Sequence, residues 1–476
     1  MKSGVVRQAE VAASKRARRA AFGGFVGAMV DWYDFLLYGI VAALVFQSQF
    51  FPKVSPAMGT LAALATFGVG FLFRPLGGIV FGHFGDRLGR KRMLILTVTL
   101  MGSATALIGL LPTFAMIGWW APALLVTLRA VQGFAVGGEW GGAALMAVES
   151  APVARKAFYS SGVQVGYGVG LILATGLVSL LSHLLSDDAF HTWGWRLPFL
   201  FSVFLVALGL WVRNGTEEAQ VFQDAVAREA LISAMQTSTT SSFTADGAQT
   251  AEVAKPAGVV VHPRTSRFPV IEALRQHPKA FLQIIGLRLS ELFTMYIVTA
   301  FTLNYSTVHL DLPRSLFLNI GLLVGAVSCV TIPCFAWLAD RVGLRRVYII
   351  GALIGCAGAI PFFLALQARS IVWIVIFAVL IANIAHDMVV SVQQPMFTEL
   401  FGASYRYSGA GVGYQLASVV GGGFTPFIAA LMVEMSGGSW HPVAAYLAVG
   451  CLISVWVAST MSGAQKQKNP RMLPNK

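Results

Sequence analysis

The sequence predicts an all-α membrane protein: twelve transmembrane helices arranged as two pseudo-symmetric six-helix bundles. Three observations lead there. Of 476 residues, 56% are hydrophobic and only 12% charged, with a mean hydropathy of +0.70, whereas water-soluble domains carry about 25% charged residues. The apolar residues gather in runs such as Gly59–Phe73, Met93–Leu111, Leu197–Val212, Val347–Leu366 and Ile371–Ala385, each near the ~20 residues that cross a ~30 Å hydrocarbon core. Finally, motifs of the first half return at matching places in the second.

Backbone polar groups in lipid must be satisfied within the segment or in a closed barrel. The period-two alternation of a barrel strand is absent, so the runs read as helices. The expected spans are 20–46, 57–82, 93–111, 119–146, 157–182, 197–213, 280–306, 315–339, 347–367, 371–397, 406–433 and 441–461. They define a basic N-terminus (1–19), a first bundle (20–213), a linker (214–279), a second bundle (280–461) and a tail (462–476). The N-terminal basic group Lys15, Arg16, Arg18 and Arg19 precedes an apolar run too long for a signal peptide, and that run holds Asp31 and Asp34; it reads as a retained first span. The linker between spans six and seven is rich in Ser, Thr, Ala and Gln over 233–255, a composition that does not bury enough apolar surface to fold alone. It is expected to be partly disordered.

The net charge of +13 is an orientation signal and not a nucleic-acid footprint. With the N-terminus inside, the cytoplasmic segments collect Arg87, Arg90, Lys91 and Arg92, then Arg155 and Lys156, then Arg341, Arg345 and Arg346. The other side keeps Lys53, Arg196, Arg314 and Arg369. This asymmetry places both termini in the cytoplasm of a cell (inner) membrane protein. The four cysteines lie in apolar stretches without metal-ligand spacing. Neither metal nor cofactor is expected, and without a Gly-x-x-x-x-Gly-Lys-Ser/Thr loop no nucleotide is expected either. The glycine runs near Gly166–Gly170 and Gly421–Gly423 sit within apolar helices, where close packing explains them.

The duplication is specific. Gly82, Asp86, Arg87, Gly89 and Arg90 follow the second span in the order Gly-x-x-x-Asp-Arg-x-Gly-Arg; Ala336, Asp340, Arg341, Gly343 and Arg345 follow the eighth. Glu149 closes the fourth span before Arg155, and Glu399 closes the tenth before Arg406. These two sets form matched charge networks on the cytoplasmic side. Two six-helix halves related by an axis along the membrane normal place a ligand site between them near the midplane.

At this point the duplicated loop motif resembles the major facilitator superfamily. Further segments resemble its metabolite:proton symporter branch of organic-acid, shikimate-type and proline/betaine-type carriers. These are Asp31-Trp-Tyr-Asp34-Phe, Phe73-Arg74-Pro75-Leu-Gly77-Gly78, Arg129-Ala-Val-Gln132-Gly133, Gly137-Gly-Glu139-Trp-Gly-Gly142, Trp193-Gly-Trp-Arg196 and Tyr405-Arg406-Tyr-Ser-Gly409 with Tyr414-Gln415. The match runs from about Gly23 to the twelfth span, the linker aside. Asp31 stands where the family more often has Glu, and Ala336 replaces the motif's first glycine in the second copy. The resemblance implies a major facilitator fold, alternating access and proton-coupled symport, not an enzyme. It also implies that the two loop networks act as a cytoplasmic gate and that a first-span acid, Asp34 or Asp31, carries the proton.

Charges inside spans cost about 2.5–3.5 kcal/mol each at the helix centre, so they mark function. Asp31, Asp34 and Tyr38 share one face of span one. Asp34 lies roughly 22 Å from that span's cytoplasmic start and Arg129 about 15 Å from the outer end of span four, so Arg129 is expected to pair with Asp34. Gln132 lies one turn beyond Arg129. In span seven, Arg288 and Glu291 are three apart: Arg288 either clamps a substrate carboxylate or pairs with Glu291. His386-Asp387 falls near mid-depth in span ten, either as a titrating group or as a packed histidine. Gln164, Tyr167, Tyr414 and Gln415 occupy corresponding points of spans five and eleven and suit neutral hydrogen bonding to a substrate. Arg74, near the cytoplasmic end of span two, is expected to snorkel or join the gate. With arginines at 129 and 288, the expected cargo is a small organic anion taken up with a proton. Uptake of a zwitterionic osmolyte, or a receptor of the same fold that no longer transports, are the alternatives.

Overall fold

The computed structural model describes residues 2–88, 90–139, 148, 151–214, 269–401 and 406–461, with side chains described from Phe22 onward except at 82–83, 85–91, 153, 213–214, 269–271 and 406–408. Every regular element among the described residues is helical. The first half comprises α1 (Lys2–Val41), α2 (Pro56–Leu88), α3 (Arg90–Leu110), α4 (Trp120–Gly137), α5 (Lys156–Leu184) and α6 (Arg196–Asn214). The second comprises α7 (Pro278–Tyr296), α8 (Arg314–Val342), α9 (Leu344–Gln367), α10 (Ile371–Val379, resuming as His386–Glu399), α11 (Arg406–Ser418, resuming as Thr425–Met435) and α12 (His441–Thr460). Among the described residues, eleven helices are long and apolar enough to cross a membrane. The pair Asp187–Gly194 and Arg196–Val212, bent by 47° and counted as one span, makes the twelfth.

The two halves repeat in detail. The first helix of each is interrupted by a π turn in the half away from the loop motifs, Ala42–Phe46 after α1 and Ile297–Phe301 after α7. Further π turns break α10 at Leu380–Ala385 and α11 at Val419–Gly423. Such turns free a carbonyl or bend a helix where a site needs it. Below, the end of the molecule bearing the α2–α3 and α8–α9 turns is called the motif face.

Within the first half α1 packs on α5 and α6, and α2 on α4; within the second α7 and α9 pack on α12. Two seams join the halves, α5 against α8 and α2 against α11. Glycines make the tight crossings. A Cβ at Gly168 would stand 2.7 Å from the Gly325 carbonyl oxygen, and one at Gly133 would stand 1.7 Å from that of Gly70, so backbones touch as small-residue interfaces in lipid allow. The outer shell is apolar and exposed, with Leu72, Leu107, Phe204, Ile360, Val372 and Leu452 facing away from the protein. Exposed tryptophans ring both ends: Trp119, Trp120, Trp193 and Trp373 at one, Trp211, Trp337 and Trp456 at the other, as interfacial anchoring requires.

Two boundaries differ from expectation. Helix α2 runs on to Leu88 and measures 33 residues, about 50 Å, because the loop motif continues the helix beyond the apolar run. The end of the expected linker contains a helix, Pro269–Gln276, whose Ala273 is fully buried against the second half. The remainder of the linker, 215–268, lies outside the described residues. All four cysteines are free thiols.

Candidate functional site

The charged residues buried between the halves sort into a first-half cluster and a second-half cluster. In the first, Asp34 is 1% exposed and its Oδ2 accepts a hydrogen bond from the Thr105 hydroxyl at 2.8 Å. Thr105 in turn accepts from Gln132 Nε2 at 2.6 Å, and Gln132 Oε1 accepts from Arg129 Nη1 at 3.0 Å. The expected Asp34–Arg129 pair is therefore not a direct contact: a relay of Thr105 and Gln132 links them. The reason is steric and electronic. The Arg129 guanidinium is held over the rings of Tyr38 at 4.1 Å, Phe35 at 4.2 Å and Phe67 at 5.2 Å, with Gly70 leaving it room. Such cation–π contacts strengthen where water is excluded. Tyr38 is fixed by a 2.6 Å hydrogen bond to Thr66.

Arg74 is the main revision. It is 7% exposed and stacks over Phe35 at 3.9 Å and Phe71 at 4.1 Å, so it neither snorkels nor joins the gate. Its electrostatic neighbours are Tyr296, Tyr414, Arg288 and Asp31. Because α2 outruns its apolar stretch, residue 74 lies near the middle of the helix. Tyr296, which packs its ring on Phe67 and Phe71 from the second half, also belongs to this centre and carried no sequence signal beyond being aromatic. Arg74 Nε, Arg129 Nε and Arg129 Nη2 are buried donors without acceptors. Leaving such a group unsatisfied costs about 1–3 kcal/mol or more for a charged one.

In the second half Arg288 pairs with Glu291: Nε donates to Oε2 at 2.8 Å and Nη2 to Oε1 at 2.9 Å. Its Nη1 donates to the Tyr414 carbonyl at 3.0 Å and Ser418 Oγ at 2.5 Å, and its Cζ lies 3.4 Å from the centre of the Tyr414 ring. Of the two sequence readings, the geometry gives Arg288 to Glu291. His386 Nδ1 meets Asp387 Oδ1 at 2.9 Å, while Asp387 Oδ2 accepts from Thr331 at 2.5 Å and Asn383 at 3.4 Å. Tyr167 reaches across from α5, its ring 5.0 Å from the imidazole and edge-on to Trp32. Gln164 donates to the Val390 carbonyl at 3.4 Å and Gln415 to that of Gly137 at 3.3 Å; each amide bridges the halves. Gln393 and Gln394, whose four amide atoms are buried without partners, were missed, although a Gln-Gln pair inside an apolar span was a visible signal.

At the motif face, Asp340 of α8 crosses to the other half. Its two oxygens accept from the Ala157 and Phe158 amides at 3.0 and 2.9 Å, capping the start of α5 in trans, with Arg155 adding attraction. A helix start offers unpaired N–H groups and partial positive charge to such an anion. Arg345, expected to network with Asp340, instead donates to the carbonyls of Met461 at 2.9 Å and of Ser459, and Arg341 stacks on Trp337 at 3.7 Å. Each arginine finds a nearer partner on its own half. Glu399 is exposed at the end of α10. Gly89 and Glu149 lie outside the described residues, as do the surroundings of Gly82 and the side chains of Asp86, Arg87, Arg90 and Arg406. At the opposite face Arg314 pairs with Asp187 across the halves, and a cavity of about 340 Å3 is lined by Gln47, Thr60, Asn304, Tyr305, His309 and Glu434.

Twelve helices in two repeats, with buried cations and carboxylates held between them and a carboxylate bridging the halves at one face, define a membrane transporter of the two-bundle type. The family model of the Major Facilitator Superfamily matches residues 20–412 and 290–474, and the chain belongs to that superfamily. It is 67% identical over 451 residues to the shikimate transporter of Escherichia coli (strain K12), covering 95% of this chain and 96% of that one. It is 31% identical to the glycine betaine/proline/ectoine/pipecolic acid transporter OusA of Dickeya dadantii (strain 3937), over 96% of this chain and 86% of that one. Among solved structures, the proton:xylose symporter XylE bound to 6-bromo-6-deoxy-D-glucose superposes with a TM-score of 0.69 at 15% identity, covering 94% of this chain and 95% of the other.

Proposed function

We propose that this protein is a proton-coupled symporter importing a small hydroxylated carboxylate of the shikimate kind. The observation that carries the substrate class is the pair of buried guanidiniums, Arg74 and Arg129, fixed on aromatic rings with donors that lack acceptors. A carboxylate supplies the missing acceptors and the opposite charge, and charge-assisted bonds to arginine are the strong ones. This replaces the Arg129–Arg288 clamp expected from sequence, since Arg288 already serves Glu291. The 67% identity to a shikimate transporter supports the same class.

The relay gives Asp34 its coupling role. The Thr105 hydroxyl has one hydrogen, yet lies within bonding distance of both Asp34 Oδ2 and the Met101 carbonyl, at 2.8 and 3.0 Å. Ionised Asp34 takes that hydrogen. Protonated Asp34 donates instead, and Thr105 turns its hydrogen to Met101. The Gln132–Arg129 end of the relay thus reports the protonation of Asp34 to the group that meets substrate. Loading occurs with the bundles open outward. Release follows when Asp340 leaves the start of α5 and the motif face, which the Lys/Arg distribution makes cytoplasmic, opens. The same charge pattern supports an inner-membrane protein with both termini inside.

An osmolyte carrier is the rival class. Quaternary ammonium groups favour aromatic cages, but the Phe35–Tyr38–Phe67 cage already holds Arg129. The test is counterflow in proteoliposomes: preloaded shikimate is expected to drive labelled shikimate inward, with glycine betaine and proline failing to compete. Competition by betaine and none by carboxylates would reverse the assignment.

A further inference from the structure

The proposed cycle makes no use of the buried dyad in the second half. His386 is 2% exposed and Asp387 fully buried. Asp387 is over-determined, held by Thr331 and Asn383, while Asn383 is itself anchored to the Val324 carbonyl and Ser328, both at 2.9 Å. A carboxylate fixed this way accepts the imidazole Nδ1–H, which sets the tautomer and leaves Nε2 as the acceptor. Among the described residues the hydrogen bond of the imidazole is the one at Nδ1, and the hydroxyl of Tyr167, whose ring lies against the imidazole from the other bundle, is buried without a partner. The dyad therefore presents a basic nitrogen, Nε2, at the bundle interface.

The groups facing the dyad come from the helices packed around it. Cys329 on α8 and Tyr167 on α5 are neutral acids that interact with Asp387, Glu291 on α7 is paired with Arg288, α9 approaches through Gly351, Gly355 and Gly358, and Tyr414 of α11 is turned to Arg288.

We infer that His386, braced by Asp387, is a second proton-binding site of the transport cycle, on the C-terminal bundle. The proton adds at Nε2 from water admitted when the bundles part, giving an imidazolium whose Nδ1–H already points at Asp387. It leaves to water on the other side. A substrate carboxylate entering the centre adds one more negative charge, so substrate binding favours the imidazolium, and by reciprocity the imidazolium favours substrate binding. That linkage is the coupling symport requires. The inference rests on the carboxylate reading above, and its test separates the two.

The experiment is 15N-imidazole NMR on the full-length protein in nanodiscs, labelled at its eight histidines. The resonance absent from His386→Gln, or displaced in Asp387→Asn should the first variant fail to fold, belongs to His386. At a fixed pH it is expected to move toward the protonated form on adding shikimate, and to move less in Asp387→Asn. A resonance that keeps one form as the pH is lowered, with and without shikimate, overturns the inference. A change of form with pH but no response to shikimate upholds the proton site and counts against the substrate reading.

Discussion

Asp340→Asn isolates the latch at the motif face. The carboxylate holds two α5 amides at 3.0 and 2.9 Å; an asparagine keeps one acceptor and turns an NH2 toward the second amide. Hydrogen bonds to a charged group contribute about 1.5–3 kcal/mol each, and charge at a helix start about 0.3–1 kcal/mol. Asp340 is only half-buried, so solvent screening reduces the loss to about 2 kcal/mol. At 1.4 kcal/mol per factor of ten, the population open at the motif face rises roughly thirtyfold. Ser161, 2% exposed on α5 near that face, supplies the reporter. In Ser161→Cys, alkylation from the side of the motif face followed by peptide mass spectrometry is expected to accelerate in that proportion when Asp340→Asn is added. An alkylation rate within about twofold of the parent would refute the latch.

Three further outcomes follow from the centre. Arg74→Leu removes a carboxylate partner and is expected to weaken shikimate binding about 10- to 100-fold, equivalent to about 1.5–3 kcal/mol, read by ligand-induced thermal stabilisation; an unchanged shift would exclude Arg74 from the site. Thr105→Val keeps the shape but cuts the relay, so pH-driven accumulation should collapse while counterflow continues; equal loss of both would argue for a packing role. Arg288→Leu strands Glu291 and is expected to cost about 3–5 kcal/mol of stability, most of it recovered by adding Glu291→Leu. A double variant no more stable than the single would contradict a purely mutual pair.

What the sequence made legible was set by periodicity and spacing. Twelve spans, the duplication and the Arg288–Glu291 neighbours at i and i+3 all follow from one-dimensional pattern. Depth along a helix was also readable, but the direction a side chain takes around its helix was not. Asp34 and Arg129 do share a level, yet the aromatic rings turn Arg129 aside and Thr105 with Gln132 fill the gap. Arg74 was misplaced because hydropathy marks where lipid ends, not where a helix ends, and α2 continues to Leu88. The π turns left no trace, since shifting one hydrogen-bond register does not alter the apolar pattern.

The most direct test of the account is accumulation of labelled shikimate by proteoliposomes under an imposed pH gradient, acidic outside. The account predicts uptake above equilibrium that a protonophore abolishes, and in Asp34→Asn equilibration without accumulation. Accumulation undiminished in Asp34→Asn, or uptake indifferent to the gradient in the parent protein, would contradict it.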